Sequence, residues 1–76
     1  MVPRDSATAA TSPVRERRRE RRLTQAELAE QVGVTRQTII AVEQGSYAPS
    51  VYLALRIARA LAGTVEELFT EEGDVR

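Results

Sequence analysis

Apolar residues recur along the chain at helical spacing, between hydroxyl-bearing starts and glycine stops, and the pattern predicts five helices in an all-α fold. The stretch from Gly33 to Gly45 is the most sharply bounded. Thr35 is placed to cap its first turn and Gly45 to supply a left-handed stop. At about 100° per residue, Ile39 and Val42 share one narrow arc, while Arg36, Gln37, Ile40, Ala41 and Gln44 lie together on the other side. One face of this helix is therefore built for burial and the other to meet something outside.

The neighbouring elements follow from the same rules. Ser12-Pro13 starts a first helix running to about Arg21, with the proline where a missing N–H costs nothing. Thr24-Gln25-Ala26-Glu27 is a capping box that opens a second helix to about Val32, whose apolar stripe is Leu28, Ala29 and Val32. Gly33 ends it, and Val34 is expected to be buried between the second and third helices. Ser50 caps a fourth helix, about residues 51–62. Its apolar arc is so wide, with only Tyr52, Arg56, Arg59 and Ala60 outward, that it is expected to be the central post of the core. Gly63 is its expected stop. Thr64-Val65-Glu66-Glu67 is a second capping box, and Val65, Leu68 and Phe69 give a last short helix one face to bury.

Composition narrows the function. Seventy-six residues allow one domain with a limited core, which leaves little room for a large catalytic cleft. The chain has no Cys and no His, which removes disulfides, thiolate and imidazole chemistry and the usual zinc ligands, so an enzyme, a cofactor or a metal is not expected. It has no long apolar run and no hydrophobic signal core, and the expected location is cytoplasmic, at the nucleoid. Formal net charge is zero, yet residues 1–22 hold seven arginines against three acids and residues 23–76 four against eight. In the first helix the pairs Arg15/Arg19, Arg17/Arg21 and Arg18/Arg22 repel at i,i+4 spacing, so these side chains need outside acceptors, either acidic side chains or phosphates. The plain alternative is a solvated charged face. Residues 1–12 read as a flexible arm, with Arg4 a candidate for a minor groove or simply part of a tail, and residues 71–76 as an acidic tail.

The outward face of the third helix carries the candidate chemistry. It begins with a guanidinium and a carboxamide, groups that pair with guanine and adenine edges in a major groove. Gln37 in the first turn matches adenine N6 and N7, and Arg36 can reach guanine or a phosphate. Ile40 has three open readings: contact with a thymine methyl, packing on a partner, or a scattered surface apolar residue. Gln25, at the start of the second helix, has an amide beside unpaired backbone N–H groups and suits a phosphate oxygen. Arg18 and Glu43 both fall at core-side positions and are expected to form a partly buried ion pair.

The run LTQAELAEQVGVTRQTIIAVEQG, followed by YAPS and ALRIARAL, closely resembles the phage repressor and Cro-like helix-turn-helix regulators, the xenobiotic-response-element family. The resemblance covers about residues 14–69 and implies a compact five-helix domain of the lambda-repressor type, taken as residues 13–70. It implies a DNA-binding transcriptional regulator that acts, as a repressor, on palindromic operator DNA, usually as a homodimer, with the third helix in the major groove. Through the resemblance Arg36, Gln37, Ile40 and Ala41 become base-facing. Gln25 becomes a phosphate contact, and Thr38, Gln44, Ser46 and Tyr47 join it. The family also pairs Arg with Glu at the positions of Arg18 and Glu43. No small-molecule ligand or membrane is implied. The sequence departs from the family where Arg22 stands for a common Gly, Arg17 for an apolar residue and Ser46 for a frequent Lys. A competing class is a protein-interaction module, since antitoxins and assembly partners use similar domains and an acidic tail with zero net charge suits them.

Overall fold

The computed structural model describes residues 12–69, which form five helices and, among the described residues, no strand. They are α1 (Pro13–Glu20), α2 (Gln25–Val32), α3 (Arg36–Gln44), α4 (Val51–Ala60) and α5 (Val65–Phe69). Each start has its own cap. Ser12 Oγ accepts from the Arg15 N–H, Thr35 Oγ1 from the Thr38 N–H and Ser50 Oγ from the Leu53 N–H. Both capping boxes close reciprocally, Thr24 with Glu27 and Thr64 with Glu67.

The core is one cluster. Val14 from α1, Leu28, Ala29 and Val32 from α2, Ile39 and Val42 from α3, and Leu53, Ile57, Ala58 and Leu61 from α4 and its end pack with Leu68 of α5. Leu23, Val34, Val65 and Phe69 are half-buried around it. Leu28, Ile39, Ile57 and Leu61 are completely enclosed, so the narrow Ile39/Val42 arc of α3 is the surface that seats this helix on the core.

Two expectations about α4 need correction. Val51 and Leu55 lie exposed, at 71% and 41%, and Ala60 is half-buried, so α4 buries one face and leaves an apolar fringe outside. In a domain this small no layer of helices lies beyond α4 to cover its far side. The helix also ends earlier than residue 62, and the left-handed residue behind it is Ala62, with φ 56°, instead of Gly63. Gly63 instead leaves room for two side-chain ends: a Cβ there would stand 2.9 Å from Arg17 Nη1 and 3.1 Å from Glu67 Oε1. Arg17 Nη1 is held there by donating to the carbonyls of Leu61 and Ala62 at 3.2 and 3.1 Å.

Arg22 adopts φ 60°, the left-handed conformation a glycine would take most easily. The turn after α1 is thus kept with an arginine, at a strain of about 1–2 kcal/mol. Along α1 and its end, Arg17 is half-buried and Arg18 buried, while Arg21 is exposed.

Candidate nucleic-acid interface

Helices α2 and α3 are joined by Gly33, Val34 and Thr35 alone. Gly33 turns the chain at φ 79°, and the Val34 N–H returns to the Ala29 carbonyl at 3.0 Å. Val34 is half-buried beneath the turn and packs against the core. The small Ala29 side chain is buried in the core, and the α2–α3 contact is the most extensive between any two described helices. A hydrogen-bonded lock then fixes this pair to α1. Arg18 Nε donates to Glu43 Oε2 at 2.6 Å and Nη2 to Oε1 at 3.2 Å, with the two side chains only 10% and 4% exposed. The remaining donor Nη1 reaches the Leu23 carbonyl at 2.8 Å. Gln25 Nε2 joins the lock by donating to Glu43 Oε1 at 3.1 Å. One carboxylate therefore gathers α1, α2 and α3.

With Glu43 turned inward, the outer face of α3 carries no carboxylate. Arg36, Gln37 and Gln44 are exposed, and Ile40 and Ala41 are half-buried. Thr38 is half-buried, its hydroxyl 3.1 Å from that of Thr35. Gly45 ends the helix at φ 80°, and the Ser46 N–H and Oγ both return to the Ala41 carbonyl, at 3.0 and 3.4 Å. This aims the Ser46–Tyr47 loop away from the core, with Tyr47 47% exposed. The geometry of a short helix seated by its inner face, with amide and guanidinium groups outward, fits an external surface rich in donors and acceptors.

The helix-turn-helix family model matches residues 14–68, nearly all of the described chain. The protein belongs to the helix-turn-helix transcriptional regulators. It is 60% identical over 62 residues to an uncharacterized HTH-type transcriptional regulator of Methanothermobacter thermautotrophicus, an alignment covering 80% of this chain and 90% of that one. A regulator of the same description from Methanocaldococcus jannaschii is 50% identical over 52 residues, covering 68% and 79%. The Bacillus subtilis regulator YgzD is 51% identical over 45 residues, covering 59% and 68%. No solved structure gives a significant match.

In this helix-turn-helix protein the structure gathers Arg36, Gln37, Ile40, Ala41 and Gln44 on one face of α3, with Ser46 and Tyr47 beyond its end. Gln25 sits apart from them, half-buried at the start of α2. One N–H of its amide is engaged with Glu43, so what remains at this position for an anion is the second amide N–H and the first-turn backbone N–H groups. Sequence reasoning missed three arginine roles. Arg17 caps the end of α4, Arg56 Nε donates to the Val32 carbonyl at the end of α2, and Arg15 buries its Nε against no protein acceptor. The signal for the first was the repulsive arginine spacing, which required acceptors without saying where. Among the described residues no cluster of acids fit for a metal occurs, and no helix is long and apolar enough to cross a membrane.

Proposed function

We propose that the protein is a sequence-specific regulator that reads operator DNA through α3 in the major groove, with no enzymatic step. The observation that carries this is the sign and placement of charge on α3: its one acid is withdrawn into the lock with Arg18, leaving Arg36, Gln37, Ile40, Ala41 and Gln44 facing outward with nothing to repel a phosphate backbone. Gln37 reads adenine through its paired donor and acceptor, and Ile40 and Ala41 lie against thymine methyls. Gln25, Thr38, Gln44, Ser46 and Tyr47 hold the backbone and set register. The role as a repressor rests on the likeness to phage repressors.

Measured affinities across single-base variants of an operator selected from random duplexes test this reading. Gln37→Ala should flatten preference at one or two positions, by about 1–3 kcal/mol each. A uniform loss with the rank order of variants intact would make α3 a positioning element. Binding of the unmodified protein to duplex DNA that ignores salt concentration would favour the protein-interaction class instead.

A further inference from the structure

A polar depression of about 420 Å³ lies where α1 meets the start of α2, lined by Arg15, Arg18, Thr24, Gln25, Ala26 and Arg36. Among the described residues its lining holds three guanidinium groups and no carboxylate. Arg18 is neutralised by the Glu43 carboxylate, and three of its five N–H groups are taken by Glu43 and the Leu23 carbonyl. Arg15 and Arg36 are not: no described side chain pairs with either, and the buried Arg15 Nε has no acceptor among the described residues. Two guanidinium groups without a carboxylate partner around one depression repel each other as they stand, and an anion between them turns that repulsion into two charge-assisted contacts. Gln25 and Ala26, whose first-turn N–H groups have no partner within α2, line the same depression.

The geometry points to a phosphate clamp in which Arg15 and Arg36 straddle one phosphodiester of duplex DNA. This rests on the DNA-reading proposal and deepens it, because it moves Arg36 from the base-reading set to the backbone. It also extends the interface to α1, outside the two helices of the motif. Sequence choice is then left to Gln37, Ile40 and Ala41.

Salt-dependent affinity for a mixed-sequence duplex and for the selected operator tests the clamp, using full-length Arg15→Gln, Arg36→Gln and the double variant, each checked for an unchanged melting profile. Arg15→Lys serves as a second probe that keeps the charge. Either single glutamine variant should weaken binding about tenfold or more to every sequence, preserve the rank order of operator variants and flatten the salt slope by up to about 0.9. The double variant should depart at least about twofold from the product of the single losses, because both groups serve one phosphate. Wild-type affinity and slope in Arg15→Gln would overturn the clamp while leaving the DNA-reading proposal standing. An altered rank order in Arg36→Gln would return Arg36 to the base readers and overturn it equally. Stabilisation by inorganic phosphate that Arg15→Gln abolishes, with duplex affinity unchanged, would mark a free-anion site and overturn the assignment to DNA. Absence of any duplex binding by the unmodified protein would sink the underlying reading itself.

Discussion

At the scale of single residues the decisive one is Glu43. A helical wheel puts it and Arg18 on inward arcs, and their pairing follows from that placement. The share taken by Gln25 does not, because no local spacing rule connects the start of α2 to the end of α3. Removing one partner of a buried ion pair costs about 3–5 kcal/mol, since the other charge stays behind without compensation. Glu43→Gln should accordingly lower the melting temperature by about 12 °C or more, at about 4–8 °C per kcal/mol for a domain of this size. Replacing both partners, as Arg18→Met with Glu43→Leu, should be milder than the single change. The Leu23 carbonyl, which loses its donor, keeps that double variant below the wild type. An unchanged melting temperature in Glu43→Gln would mean that the pair contributes nothing.

At the scale of elements the caps and starts were legible, because hydroxyl residues, capping boxes and Gly33 and Gly45 act through contacts three or four residues away. The end of α4 was not. A glycine after an apolar run reads as a left-handed stop, yet here Ala62 carries the positive φ and Gly63 makes room for an arginine from α1. That contact spans 44 residues of sequence, beyond any local rule. The exposed Val51 and Leu55 escaped for the same reason: a wheel counts apolar positions and does not know which side has a neighbour. A double-mutant cycle measured by urea unfolding makes the Arg17 explanation testable. Gly63→Ala should cost about 1–2 kcal/mol by displacing Arg17 from the Leu61 and Ala62 carbonyls. In an Arg17→Ala background the same change should cost clearly less, what is left being the 3.1 Å approach to Glu67 Oε1. Equal costs in both backgrounds would place the demand for glycine elsewhere.

At the scale of the whole molecule, a formal charge of zero says little about the surface that meets a partner. Arg17, Arg18 and Arg56 are spent on carbonyls and carboxylates inside the domain, while Arg15 and Arg36, around the depression between α1, α2 and α3, find no partner among the described residues. The outward face of α3 was legible from periodicity because it needs only one helix; the depression shared by Arg15 and Arg36 was not, because it needs α1, α2 and α3 assembled. Size sets a further requirement. A single module of this kind buries too little surface for the affinities typical of specific recognition, and two copies on half-sites about 34 Å apart would present both α3 helices to one face of the duplex. The exposed Tyr52, at 76%, is one candidate for contact between copies, whereas Phe69 is already half spent on its own core. Hydroxyl-radical footprinting on the selected operator, with the stoichiometry read by sedimentation, should give two symmetric protected half-sites and two chains per duplex. Protection of one asymmetric half-site at saturation, with one chain bound, would mean that a lone domain reads its operator and that the clamp supplies the affinity a second copy otherwise would.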